Sequence, residues 1–184
     1  GGFGAYNLGI KYKDRFKVIV GILPPLNMRY LDCHGRYFTR FDPNCIGWEE
    51  RYRPDASIGC FYHLLHVQQK HMIDPLFGRD RDAVAKRIAA ENPVEMLESY
   101  DVKPGEMHFF IGYGERDEFN LAAQAESFIH FASKRGIEPH VVVDPKGRHR
   151  SETGIGMMPE FNAWLNPLLK PFAPPLKLCE PLLQ

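Results

Sequence analysis

The chain has 184 residues, 44% of them hydrophobic, and its 23 Lys and Arg residues are balanced by 23 Asp and Glu. At this length one domain can bury about 70% of the surface its unfolded form exposes, so a true core is possible. The zero net charge excludes the positive excess by which proteins hold nucleic acid or an anionic membrane, and no apolar run is long enough to cross a bilayer.

In chain order, residues 1–10 begin with small residues that let a helix approach a sheet closely, and this helix is expected to run on towards Phe16. Residues 18–23, Val-Ile-Val-Gly-Ile-Leu, read as a buried strand ended by Pro24 and Pro25, neither of which can donate to a sheet ladder. From residue 28 to about 57 the periodicity dissolves into Arg, aromatic, Gly and Pro residues, among them Arg29, Tyr30, Arg36, Tyr37, Trp48, Arg51 and Arg53. A short helix is expected over 60–72, a better one over 80–91 with Asp80 or Asp82 early and Asn92-Pro93 as its stop, and a helical turn over 94–100. Residues 28–100 together read as an irregular, lid-like insertion that supplies a pocket wall.

The next stretch carries the chemistry. Met107-His108-Phe109-Phe110-Ile111-Gly112 is apolar without alternation, as a strand covered on both faces should be, and Gly112 and Gly114 are expected to break it. Asp117-Glu118-Phe119-Asn120 would open a helix that Lys134-Arg135-Gly136 closes, and residues 139–143 form the next buried strand. Strand, helix and strand make a right-handed βαβ unit, whose ligands sit beyond the carboxyl ends of the strands. Asp117 and His149 both follow such ends. A helix over 157–165, stopped by Pro167 or Pro171, and a Pro-rich surface tail from Pro174 complete the chain.

Cys33, Cys45, Cys60 and Cys179 show neither zinc-site spacing nor the density of a disulfide-stapled module, so they read as thiols, with a Cys33–Cys45 bridge possible only in an oxidising compartment. The first residues carry no basic or signal-like segment, and the compartment stays open with the cytoplasm favoured.

Several of these stretches resemble one family. Gly1-Gly2-Phe3-Gly4-Ala5 resembles the segment after the nucleophile elbow in α/β-hydrolase serine esterases of the esterase D and mycolyltransferase-like group, where the serine sits in Gly-x-Ser-x-Gly-Gly. Residues 16–23 resemble the strand after the elbow helix, and Asp74-Pro75-Leu76-Phe77-Gly78 a motif of the variable region. Residues 112–120 resemble the acid-bearing turn, and Pro145-Lys146-Gly147-Arg148-His149 the histidine loop. The resemblance implies an α/β fold, the C-terminal part of an α/β-hydrolase with a mostly parallel sheet flanked by helices.

It further implies a serine-dependent carboxylic ester hydrolase that works through an acyl-enzyme on a small-molecule ester. α/β-Hydrolases order their triad as Ser, then Asp or Glu, then His, and here Asp117 precedes His149. Asp117 would orient the imidazole and His149 would shuttle the proton, because a serine hydroxyl is a poor nucleophile until a base accepts its proton. Matching Gly1-Gly2 to the paired glycines of the elbow puts the nucleophile just before Gly1. An N-terminal segment or companion chain is therefore expected to carry it, this chain alone is expected to be inactive, and no cofactor or metal is expected. The strand nearest that missing part should leave an unpaired edge, beside helices with uncovered apolar faces.

Other readings compete. Asp117 could merely cap a helix, Glu115 or Glu118 could take its place, and His149 could be a solvated loop residue. His63, His66 and His71 could share a helix face as metal ligands or lie exposed on it. Ser57 in Ala56-Ser57-Ile58-Gly59 is an internal mimic of an elbow without its first Gly, and Ser151 reads as a loop or capping serine. The Arg and aromatic stretch could recognise an acidic or sugar-bearing substrate, or be a packed, ion-paired insertion. The alternative function is a non-catalytic α/β-hydrolase-like binding domain, with a metal-dependent hydrolase behind it.

Overall fold

A computed structural model of the chain describes residues 1–45 and 52–172, without the side chains of residues 31–33. Trp48, Arg51, Cys179 and the Pro-rich tail lie outside the described residues, as does the side chain of Cys33. Cys45 is disulfide-bonded and Cys60 is free. No helix among the described residues is long and apolar enough to cross a membrane.

The chain is an α/β protein. Helix α1 (Gly2–Lys11) leads to strand β1 (Val18–Ile22). After the insertion come β4 (His108–Gly114), α5 (Leu121–Lys134), β5 (His140–Asp144) and α6 (Ser151–Leu169). The three strands form a parallel sheet in the order β1-β4-β5, with Ile19 opposite Phe109 and Ile111 opposite Val141. Among the described residues no strand pairs with the outer edge of β1, and Leu8, Tyr12 and Phe16 are exposed nearby in the chain.

Strand β4 is central, and its two faces explain its uninterrupted apolar sequence. Phe109 points to one side, where Tyr6 of α1 and Phe128 of α5 lie with ring centroids 5.7 Å away. Phe110 points to the other, against Phe161 and Trp164 of α6 at 5.2 and 5.3 Å. Successive side chains of a strand alternate faces, so a strand sandwiched between helix layers must be apolar at every position. Gly112 and Gly114 do not break it: β4 continues through Gly114, because a Cβ on Gly112 would lie 2.6 Å from Met157 Sδ and one on Gly114 would lie 2.4 Å from Gly147 O. These glycines admit a helix and a loop respectively. β5 was expected to be buried, yet as an edge strand it is only half-covered.

The insertion departs most from the expectation. A 3-10 helix (Met28–Gly35) is followed by the antiparallel hairpin β2 (Ser57–Phe61) and β3 (Leu65–Gln68), then α2 (Gln69–Phe77), α3 (Arg81–Glu91) and α4 (Pro93–Ser99). The expected helix over 60–72 is thus a hairpin, with helix only from Gln69. Its turn puts Tyr62 and His63 at φ of 53° and 58°, with Leu64 N–H donating to Phe61 O at 3.1 Å. Both central residues at positive φ suit the twist of a tight hairpin, but Gly or Asn normally advertises that geometry. Asp80 caps α3 as expected, accepting from Asp82 N and Ala83 N, and Asn92-Pro93 ends it while opening α4.

The insertion buries its own apolar cluster of Met28, Tyr52, Ile58, Ile73, Phe77, Val84 and Ile88. A buried amide network ties it to the main layer. Asn92 Oδ1 accepts from Met28 N at 2.9 Å, Asn92 Nδ2 donates to Asn27 Oδ1 at 3.1 Å, and Asn27 Nδ2 donates to Ser127 Oγ of α5 at 2.8 Å.

Two helix starts also differ from expectation. α5 begins at Leu121 rather than Asp117, because Asn120 sits in the left-handed region at φ 55°. α6 begins at Ser151 rather than 157 and carries Pro159 and Pro167 within it before ending at Leu169.

Candidate active site

The loops after β4 and β5 meet at the carboxyl ends of the strands, where parallel sheets place their ligands. They are bonded backbone to backbone: Glu115 N donates to Asp144 O at 3.0 Å and Arg116 N to Gly147 O at 2.9 Å. The bare faces of Gly114 and Gly147 allow that approach, since a side chain on either would collide with the other's backbone. The β5 loop turns tightly as Asp144 Oδ1 accepts from Lys146 N at 2.9 Å, and Thr153 Oγ1 of α6 accepts from Arg148 N at 3.1 Å.

This framework brings Asp117 and His149 together. His149 Nδ1 lies 2.9 Å from Asp117 Oδ2, and Asp117 Oδ1 accepts from Phe119 N at 2.8 Å. Asp117 is 1% exposed and ends in a turn, so it caps no helix. The His149 side chain is 40% exposed, with Phe119 packed edge-to-face on the ring at 4.9 Å. A carboxylate on Nδ1 favours the tautomer with its proton there, leaving Nε2 as a base, and Nε2 has no hydrogen-bond partner among the described residues. The hydrogen bond that the ring donates to Asp117 raises the imidazole's pKa above its ordinary value, burial opposes it, and the charges of Asp117 and Glu118 add to the rise.

His149 stands in the wall of an open cleft of about 530 Å³. Ile22, Leu23, Pro25, Met72, Phe119 and Leu121 give it apolar sides, and Gly1 and Gly2 at the start of α1 line it too. The apolar wall thus comes from the end of β1, the acid loop and, through Met72, the insertion. A larger cleft of about 810 Å³ lies in the insertion between Arg36, Tyr37, Phe38, Tyr52, Arg53 and Arg81, apart from the Asp117–His149 pair. Size does not decide between them: of the two, only the smaller is lined by the imidazole that is paired with the buried Asp117.

The remaining candidates fall elsewhere. Ser57 lies on β2 with Oγ 3.0 Å from His66 Nδ1 and lines the larger cleft, not the one at His149. His63, His66 and His71 share no helix face: His63 is in the hairpin turn, His66 on β3, and His71 on α2, where its ring accepts from Gln68 N at 3.2 Å. No group of three or more His, Cys, Asp or Glu among the described residues could hold a metal ion. Ser151 is the first residue of α6 on the rim of the His149 cleft. Of the Arg and aromatic stretch, Arg29 is buried and ion-paired to Glu95 at 2.7 Å, Tyr30 and Tyr52 are buried, and Arg36 and Arg53 are exposed.

Two participants escaped the sequence. Gly59 of β2 lies against the acid loop, where an added Cβ would meet the Phe119 ring at 2.9 Å and Glu118 O at 3.1 Å. An isolated Gly inside a strand pattern is the signal for such a close approach. Glu118 contacts the backbone of His149 rather than its ring, and residue type alone does not reveal that.

No family model matches the chain, and no curated protein does. Among solved structures it is similar to a ferulic acid esterase, with a TM-score of 0.53 and 13% identity over 91% of this chain and 48% of that chain. At that identity the likeness is one of fold, an esterase-like α/β arrangement of parallel sheet and flanking helices. The chain spans about half the length of that esterase.

Proposed function

We propose that this chain supplies the acid and the base of a serine-dependent carboxylic ester hydrolase, Asp117 orienting and His149 shuttling the proton. The serine is contributed by a segment preceding Gly1 or by a companion chain. The observation that carries this reading is the 2.9 Å contact from His149 Nδ1 to a carboxylate that is 1% exposed, with the imidazole opening onto a cleft shared with Gly1 and Gly2. The esterase-like fold supports it at the level of architecture.

The chemistry follows from the arrangement. His149 Nε2 takes the proton of the serine hydroxyl as the oxygen attacks the ester carbonyl, and Asp117 stabilises the imidazolium. The proton then goes to the departing alcohol, leaving an acyl-enzyme that water hydrolyses by the same route in reverse roles. The start of α1 at the cleft wall directs its positive end towards the oxyanion. The largely apolar walls suit an ester of an apolar acid, of the aromatic kind named for the ferulic acid esterase.

A fluorophosphonate probe applied to the complete protein tests this. Labelling is expected on a serine N-terminal to Gly1 and should be lost in His149→Ala. A label on Ser57, or hydrolytic activity without any labelled serine, would overturn the assignment, and Ala or Gly at the nucleophile position would leave a binding domain instead.

A further inference from the structure

Glu118 is adjacent to Asp117 in sequence but faces a different target. Its Oε2 accepts the backbone N–H of His149 at 2.8 Å, and its Oε1 accepts from Arg148 Nη1 at 3.0 Å. The Glu118 side chain is 10% exposed, while its partners Arg148 and His149 stand at the surface. One carboxylate therefore bridges the acid loop to two successive residues of the histidine loop.

We propose that Glu118 is a positioning residue of the site, stapling the backbone of His149 to the acid loop so that the imidazole is held at hydrogen-bonding distance from Asp117. This rests on the reading of Asp117 and His149 as acid and base. The physical case is one of degrees of freedom. The backbone bonds at Arg116 and Gly147 fix the start of the histidine loop, and Thr153 fixes Arg148 N, but among the described residues the only acceptor for the N–H of His149 itself is Glu118. A charge-assisted bond at that atom restrains the residue whose ring must keep its angle to Asp117. A bare Glu–Arg pair at a half-exposed arginine would contribute little, so the staple's weight lies in the bond to His149.

The carboxylate is charged at neutral pH. Burial pushes its pKa up, but the bonds from the His149 backbone and Arg148 outweigh that and hold it below the ordinary range. It therefore also helps stabilise the imidazolium. The charged and titratable groups around the imidazole are Asp117 and Glu118 from the acid loop, Arg148 and Arg150 from its own loop, and Cys60, Tyr62 and His63 of the hairpin, which share with it a second open cleft of about 480 Å³.

The test uses Glu118→Gln, Glu118→Ala and Arg148→Ala in the complete protein, with two readouts. NMR titration of the His149 ring needs no turnover, whereas kcat and KM on an ester need the enzyme. Glu118→Gln keeps an acceptor for His149 N but loses the charge, so the ring should titrate at lower pH with kcat reduced less than about tenfold. Glu118→Ala also loses the staple and should lower kcat about 10- to 100-fold at nearly constant KM, the scale on which misplacement of a reacting group is felt. Arg148→Ala, which leaves the His149 bond intact, should change kcat by less than about threefold.

Titration curves of both Glu118 variants that superimpose on the unsubstituted protein, with kcat unchanged, would overturn the proposal. So would a loss in Arg148→Ala as large as that in Glu118→Ala. If Glu118→Ala does not fold, Glu118→Asp, which keeps the charge but draws its oxygens back from His149 N, takes its place in both readouts, and an unchanged titration and kcat in that variant would overturn the proposal. A shifted titration in a protein that hydrolyses no ester would leave the staple standing and remove the esterase reading.

Discussion

The paired loops after β4 and β5 and the insertion between residues 28 and 100 solve the same problem, holding irregular backbone in place, by different means. The loops are short and lean on each other through backbone bonds, bare glycines and one glutamate staple. The insertion is long and supports itself with a separate apolar cluster and the Asn27–Asn92 network, and it meets the acid loop where Gly59 touches Phe119. Chemistry and pocket wall are thus stabilised separately, so damage to one should be distinguishable from damage to the other.

The largest effect is expected at the pair itself. Asp117→Asn keeps the shape but favours the wrong imidazole tautomer, and if the pair works as proposed the complete protein should lose about 10⁴-fold in kcat, as Ser-His-Asp hydrolases do on this change. His149→Ala should cost at least as much, and the circular dichroism spectrum should stay unchanged, because neither side chain belongs to the apolar clusters. As the proposed base, His149 must be neutral, and its pKa is raised above the ordinary 6.5, so kcat/KM of the complete protein should climb with pH through a midpoint above that value. Near-normal turnover in either variant would separate the pair from the chemistry.

The insertion should break by unfolding rather than by loss of chemistry. Asn92 is fully buried, and its removal orphans Met28 N and takes one donor from Asn27 Oδ1, which keeps the bond from Arg29 N. A buried group left without a partner costs about 1–3 kcal/mol, so Asn92→Ala should lower the urea midpoint by an amount equivalent to about 1–3 kcal/mol. Under the proposed function, ester turnover per folded molecule of the complete protein should be close to normal. An unchanged midpoint would mean that the network is not what anchors residues 26–30.

This division also marks what could be read from the sequence. Strand β4 was legible because Phe109, Phe110 and Ile111 face two different helix layers, and an unbroken apolar run records that directly. That Asp117 and His149 would meet was legible because both follow strand ends in neighbouring loops of a parallel sheet. The hairpin was not, since Tyr62 and His63 adopt left-handed geometry without Gly or Asn to announce it. Nor was the start of α6, because Gly154, Gly156 and Pro159 mask a helix that packing on β4 and β5 sustains. Asp117, Glu118 and Glu115 are equivalent on paper. Only the turn at Asp117–Phe119 decides which carboxylate meets the ring and which meets the backbone.

The smallest effects lie where the two regions touch and where the insertion ends in solvent, and they sharpen the contrast from within one hairpin. Gly59→Ala places a methyl against the Phe119 ring and Glu118 O, so either β2 or the acid loop must yield. Overpacking of this kind costs about 1–3 kcal/mol, and because Phe119 packs on His149 it should also lower kcat/KM several-fold. Leu64, at the tip of the same hairpin, is 81% exposed, and Leu64→Ser should change stability by no more than about 0.5 kcal/mol and leave kcat unchanged. Urea melts and ester turnover on the two variants separate the outcomes. Equal effects would mean that the hairpin acts as one rigid flap on the site, whereas a loss confined to Gly59→Ala locates the coupling in the single contact between β2 and the acid loop.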